Sequence, residues 1–290
     1  MFFLKKNLRY IHWQIAYRRK GEKVFKTVAN PPFAWAADPF LVEYEGHIYL
    51  FAELFLYKSE RNGVIGYCEY FGDSFGCWTI SMDEHWHLSY PNVFVRDGKL
   101  MMCPETYQKK EVALYELKCF PDQWVQTQVL ASNVQYVDTT LLTIEDSEYL
   151  FTFKPVFSGD EGSLLISKKT QEGNFDKYAV ISNDKSVARP GGNFIKKGSN
   201  LYRVSQSCKN SYGEAVVISK VLSIEPEYRE EIIKTISPKN VRIDTKKKVL
   251  GIHTYNRLNE LEVIDFKYYE PSYVEAIAAR RTKKVFTNKY

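Results

Sequence analysis

The chain has 290 residues, a net charge of +5, 44% hydrophobic and 15% aromatic residues. That is enough apolar material for one large core. Basic residues are spread along the chain apart from its two ends, which argues against a nucleic-acid groove, and no apolar run reaches the length of about 20 residues that crosses a bilayer.

In chain order, Met1–Lys20 comes first, with six basic residues and several large apolar ones. Its first residues lack the long apolar stretch of a secretory leader. Within it, Trp13–Arg18 alternates in character like a strand, and residues around 12–18 are expected to complete the last sheet of a closed ring. Met1–Lys20 also has the composition of a segment lying on an anionic membrane. Both readings hold together if only residues 1–10 touch lipid.

From Ala37 onward one phrase returns about every fifty residues: an anchor, an apolar run, a Gly-containing or polar turn, and a second apolar run. The anchors Asp38, Tyr90, Asp138 and Arg189 follow one another at 52, 48 and 51 residues. The first copy predicts a strand over Phe40–Glu43, a hairpin turn at Tyr44–His47 and a strand over Ile48–Glu53. The second predicts Asn92–Arg96, Asp97-Gly98 and Lys99–Glu105. The third gives Thr140–Ile144 and Glu148–Phe153, and the fourth Asn193–Ile195 and Asn200–Gln206. Outer strands follow at Gly63–Tyr70, Val112–Leu117, Ser163–Lys168 and Ala215–Ile224, rich in β-branched and aromatic residues. A weaker fifth copy spans Val241–Asn256. Tyr273–Ala279 could form a short helix, and Arg280–Lys284 is a basic run. Short strands repeating every 40–50 residues are the signature of propeller blades. The expected fold is all-β, a five-bladed β-propeller closed by an N-terminal strand. It would occupy residues 12–272, between a basic segment (1–11) and a basic tail (273–290).

Five cysteines, an odd number without C-x-x-C spacing, read as free thiols in a reducing compartment. The expected location is therefore cytoplasmic, at most at the inner face of the membrane. Phosphate-loop, dinucleotide, hydrolase-elbow and zinc-protease motifs are absent. No metal or other cofactor is signalled, although the channel could accept Ca²⁺.

The anchors carry the candidate chemistry. Glu53 and Glu105 each follow their anchor by 15 residues and interrupt apolar runs. An acid in such a run is rare without a partner or a task. Asp38, Glu105 and Asp138, from three blades, could meet at one end of the channel, where glycosyl chemistry needs one protonated carboxyl as general acid or base and a second carboxylate that activates the nucleophile or stabilises the transition state. The competing reading is a structural network in which these acids pair with Arg189 or Arg203. His87, Tyr90 and His253 could hydrogen-bond a sugar or phosphate. Arg189, beside Pro190-Gly191-Gly192, suits an anion. Gln206 and Tyr212 could complete a polar wall, and Trp35 or Trp86 could stack on a sugar face.

Trp35–Phe40, His87–Pro91, Pro104-Glu105-Thr106, Asp138-Thr139-Thr140 and Arg189–Gly192, taken in order, resemble the five-bladed domain related to glycoside hydrolase family 43 and the furanosidase clan. The nearest likeness is to the N-terminal domain of glucosamine inositolphosphorylceramide transferases and similar bacterial polysaccharide-biosynthesis proteins. The resemblance implies a base at Asp38, an acid at Glu105 and a tuning acid at Asp138, whereas Tyr90 departs from the hydrolase pattern. It implies a glycosyltransferase of surface-polysaccharide (capsule) or glycolipid assembly. Such an enzyme would use a nucleotide sugar or sugar phosphate as donor and a glycan or lipid-linked acceptor. A furanosidase-like hydrolase and a non-catalytic sugar-binding scaffold are the alternatives.

Overall fold

Period-two alternation and dense turn punctuation leave this chain few choices but strands, and the computed structural model has almost nothing else. It describes residues 9–57, 63–156 and 161–271. The expected helix at Tyr273–Ala279 and the basic run Arg280–Lys284 lie outside them. Among the described residues the single helical element is a 3-10 turn, Tyr107–Lys109, and no helix is long and apolar enough to cross a membrane.

The chain opens with β1 (Arg9–Arg19) and β2 (Lys26–Thr27). Blade one follows as β3 (Ala34–Tyr44), β4 (His47–Leu56), β5 (Gly63–Tyr70) and β6 (Thr79–Met82). Blade two is β7 (Ser89–Arg96), β8 (Lys99–Glu105), β9 (Glu111–Cys119) and β10 (Gln123–Ser132). Blade three is β11 (Val137–Ile144), β12 (Ser147–Pro155), β13 (Gly162–Lys169) and β14 (Phe175–Ser182). Blade four has a split first strand, β15 (Arg189–Pro190) and β16 (Ile195–Lys197), then β17 (Asn200–Ser207), β18 (Ala215–Ser223) and β19 (Arg229–Ile236). Blade five has only β20 (Tyr255–Leu258) and β21 (Leu261–Pro271) from its own stretch of chain. Its order is β20-β21-β1-β2, with β1 antiparallel to β21 from Arg9 opposite Pro271 to Arg19 opposite Leu261. The N-terminal strand thus closes the ring, and the last blade keeps no open edge where β1 pairs.

Two boundaries differ from the sequence reading. Arg9–Ile11, assigned to the N-terminal segment, are part of β1. The fifth copy, expected from Val241, becomes strand only at Tyr255, because the Lys246–Lys248 run offers no apolar face to bury. Residues before it form a connection fastened by a bridge between Phe25 and Ile243 and another between Gly251 and Lys267.

Five buried apolar clusters fill the five seams between neighbouring blades. Ile15, Leu50, Leu54 and Val263 join blades five and one, and Phe40, Leu88, Tyr90 and Met102 join one and two. The seam between blades two and three holds a cleft of about 270 Å³ lined by Val112, Leu150, Thr152 and Thr139, the neighbour of Asp138.

The first strands carry the feature that builds the site. Asp38, Tyr90 and Asp138 have φ of 52°, 42° and 52°. Each sits where the pairing with the second strand slips, between Ala37 and Phe40, Ser89 and Asn92, and Val137 and Thr140. A bulge leaves an extra residue, bends the strand and re-aims a side chain. Here the same device recurs in three blades and turns three anchors toward one axis. Holding a non-glycine residue in this region costs about 1–3 kcal/mol, so the surrounding packing must over-determine it.

Candidate active site

Asp38 is 5% exposed and accepts hydrogen bonds on both carboxylate oxygens. The Tyr90 N–H donates to Oδ2 (3.2 Å) and the Thr254 hydroxyl to Oδ1 (2.8 Å). His253 Nε2 lies 3.5 Å from Oδ1. Its other nitrogen, Nδ1, lies 2.6 Å from Asp265, which also accepts the N–H groups of Asp38, His253 and Thr254. Trp13 stacks on the His253 ring at 3.9 Å and locks its plane. A carboxylate fixes the histidine and the histidine faces the catalytic candidate, so the imidazole is oriented from behind. Burial pushes the Asp38 carboxyl up to about 6; Asp138 and Asp265 add to the rise and His253 opposes it. Burial works against protonation of His253, but Asp265 and Asp38 outweigh it and leave its pKa raised.

The second half of the site centres on Asp138. Arg189 Nε donates to its Oδ2, and Gln206 Nε2 donates to the same oxygen at 3.0 Å. The Asp138 N–H donates to Glu105 Oε2 at 3.2 Å. Burial pushes Glu105 up to about 8, with Asp138 adding and Arg189 opposing, although Glu105 keeps part of its surface exposed. Glu53 is 7% exposed and held well above the usual carboxylate range by burial first, then by Asp38, Glu105 and Asp138. These mutual effects place the four acids within electrostatic reach of one another. His87 Nε2 lies 3.4 Å from Glu53, and the His87 N–H donates to Gln108.

The competing structural reading is therefore right for one pair: Asp138 does bind Arg189. Three residues expected to touch substrate instead hold other groups. Tyr90 has no exposed surface; its hydroxyl pairs with Thr140 (2.8 Å) and accepts the Gly192 N–H (2.8 Å). Gln206, also without exposed surface, fixes Asp138 and donates to the Pro190 carbonyl. His253, 2% exposed, orients Asp38. Arg189, expected to hold an anion, is committed to Asp138 and lies over the ring of Tyr212 at 4.9 Å. Tyr212 is half-buried beside it. Trp35 is half-buried and stacks on Phe55 at 4.5 Å rather than standing as an open platform. Trp86 carries Lys109 over its ring.

Sequence reasoning missed Asp265, although it interrupts the apolar run Val263-Ile264-Asp265-Phe266 as Glu53 does its own. It also missed an asparagine belt. Asn92 bonds Asn193 (2.5 Å) and the Leu141 N–H, while Asn256 bonds the Pro39 carbonyl and the Asn193 N–H. Asn92 follows its anchor by two residues and Asn193 follows Arg189 by four, so no constant spacing exposed the belt. Gly192 passes so close to blade five that a Cβ on it would lie 2.1 Å from the Tyr255 carbonyl, which explains the Gly191-Gly192 pair.

Asp38, His253 and Asp265 are the described residues whose ligand atoms cluster closely enough for a metal, within 4.8 Å of one another. Asp265 already accepts three backbone N–H groups and faces His253 Nδ1, and Asp38 accepts two donors, so the group closes as a hydrogen-bonded unit. A cation there would have to displace His253 Nδ1–H from its carboxylate.

The family model for the N-terminal region of glucosamine inositolphosphorylceramide transferase 1 matches residues 24–269. The transferase of that name from Oryza sativa subsp. indica is 30% identical over 271 residues, covering 86% of this chain and 35% of its own. The Arabidopsis thaliana protein is 33% identical over 218 residues, covering 70% and 28%. The chain thus spans about a third of the length of the curated relatives it matches. Among solved structures, the Coprinopsis cinerea GH62 alpha-L-arabinofuranosidase catalytic domain aligns with a TM-score of 0.59 at 12% identity, covering 87% of this chain and 97% of that one. A Podospora anserina alpha-L-arabinofuranosidase aligns at 0.60 and 12%, covering 90% and 98%. At such identity these two establish the shared five-bladed fold alone. By the breadth of the family match, this chain belongs to the family of glucosamine inositolphosphorylceramide transferase N-terminal domains.

Proposed function

We propose that this propeller is a carbohydrate-active domain of glycolipid or surface-polysaccharide assembly. It would act in transfer of a sugar from a nucleotide sugar or sugar phosphate to a glycan or lipid-linked acceptor. The observation that carries the reading is the gathering of Asp38, Glu53, Glu105 and Asp138 at one ring, where burial pushes Asp38 up to about 6 and Glu105 further, to about 8. At neutral pH the first is mostly ionised and the second mostly protonated, the division of labour that glycosyl chemistry needs. Glu105 donates its proton to the leaving oxygen. Asp38 takes the proton of the acceptor hydroxyl or faces the developing positive charge. Asp138, fixed by Arg189 and Gln206, orients Glu105 through its N–H. Cys68, Cys77, Cys103 and Cys119, none of them in a disulfide, support the further proposal of a cytoplasmic setting.

One observation favours a second reading, a non-catalytic sugar-binding propeller: both oxygens of Asp38 are already occupied by protein donors. The test is mass spectrometry of the protein with pooled nucleotide sugars, phospho-sugars and aryl furanosides, beside folded Asp38→Asn and Glu105→Gln proteins. New mass on an acceptor, lost in both variants, supports transfer. Free sugar from the aryl furanosides would instead identify a hydrolase using the same acids. Ligand retention without turnover would assign the domain to binding, and full turnover by both variants would sink the carboxylate mechanism.

A further inference from the structure

The β1–β21 ribbon ends in a partly exposed stretch, where Tyr269 faces solvent between the buried Tyr268 and Glu270. Along β1, Arg9, Tyr10 and Ile11 are exposed before His12 becomes buried. Across from them Tyr269 is 50% exposed, and it pairs directly with Ile11, which is 48% exposed. Tyr10 points to the other side of the ribbon and is also exposed, so this end meets solvent on both faces.

The direction of the ribbon places this end. Strand β21 runs from the β20–β21 turn at Leu261, past Asp265 at the level of Asp38, and on to Pro271. Four residues beyond Asp265, Tyr269 stands about 13 Å further along at ordinary strand rise. The first strands run away from their anchors in the opposite direction, so the ribbon end belongs to the mouth of the channel.

A second feature meets it there. The Lys246–Lys248 loop is held against the ribbon: Lys247 pairs with Glu270 and sits over the Tyr268 ring at 5.1 Å, and the Leu250 N–H donates to the Lys267 carbonyl. Lys246 and Lys248 remain exposed. The ribbon end thus carries Arg9, Ile11 and Tyr269 on one face and Tyr10 on the other, the face against which Lys247 holds the loop with its exposed Lys246 and Lys248. Amphipathic aromatic rings beside unshared cations match the headgroup zone of an anionic bilayer. Outside the described residues the sequence adds Phe2, Phe3, Lys5 and Lys6 just before Arg9, the same composition. At the other end of the channel, Lys20 and Arg257 are answered by Glu260, and Lys196 by the Thr143 carbonyl.

We propose that the ribbon end and the lysine loop form a docking surface for an anionic lipid membrane, with the channel mouth turned toward the headgroups. The surface stands without the glycosyl chemistry; joined to that reading, it says the acceptor is reached in the membrane plane.

The test is co-flotation of the full chain with vesicles of phosphatidylcholine alone or with about 30 mol% phosphatidylserine. Binding should require the anionic lipid and weaken as salt is raised. Lys246→Gln with Lys248→Gln should weaken it about 30-fold. Ile11→Ser with Tyr269→Ser should weaken it as well, and Lys196→Gln with Lys197→Gln should leave it unchanged. Asp38→Asn protein should bind as tightly as wild type, which separates loss of docking from loss of chemistry. No binding to either vesicle, or equal binding by the loop and ribbon variants, overturns the proposal. So does a ribbon variant that changes only self-association in sedimentation, which would give the face to a second copy of the chain.

Discussion

Asp38 and Asp138 occupy equivalent bulges with the same φ of 52°, yet they are held in opposite ways. Asp38 is surrounded by neutral donors and a histidine that a second carboxylate has claimed. Asp138 is clamped by a guanidinium. Tyr90, at the same place in the blade between them, has no charge to offer and has become a strut. The repeat therefore fixes where an anchor points, and the neighbouring blade decides what it can do there.

The comparison can be broken most directly on turnover. Asp38→Asn and Glu105→Gln should each lower the rate about 10²- to 10⁴-fold, the usual range for a lost general acid or base. If Asp38→Asn alone kept its rate, Asp38 would join Tyr90 as a strut. A next-largest effect is expected on stability. Arg189→Met leaves Asp138 buried without its cation and should cost roughly 3–5 kcal/mol in urea unfolding, part of which Asp138→Asn in the same chain restores. Tyr90→Phe leaves the Gly192 N–H unsatisfied; it should cost about 1–3 kcal/mol while turnover is retained. Loss of turnover at unchanged stability would return Tyr90 to the substrate.

The last effect is a slope with pH. Glu105 holds its proton to about 8 in the folded chain, above its ordinary 4.5, so the unfolded chain releases that proton first. Stability should therefore fall as pH rises from about 4.5 to about 8. Asp38 contributes the same sign between 3.8 and about 6, and the raised pKa of His253 works in the same direction. Glu105→Gln should flatten the upper part of that slope in thermal melts taken across pH; an unchanged slope would show that Glu105 is ionised in the folded protein.

Ring and anchors were legible in the sequence because each blade must solve the same packing problem, so Asp38, Tyr90 and Asp138 recur at nearly constant spacing. Glu53 and Glu105 were legible because an acid amid apolar neighbours demands a reason. Partnerships across the channel were not. Tyr90 and Gly192 are 102 residues apart, and no local pattern announces that a phenol will be consumed by a glycine's backbone. Asp265 escaped because it stands in a second strand of the weakest repeat, four residues of inner strand preceded by lysines. The fifth blade was placed early for the same reason: half of it comes from the other end of the chain.

That arrangement also bears on how the molecule comes into being. Strand β1 is made first, and its partner β21 lies some 250 positions later. Until β21 is made, β1 has only β2 and the face of blade one around Leu50 and Leu54 to cover Ile15 and Tyr17, and no second long strand beside it. Closing the ring requires a contact of very long sequence separation, the kind that slows folding. Asp38, which needs His253 and Asp265 around it, acquires its finished surroundings only at that last moment.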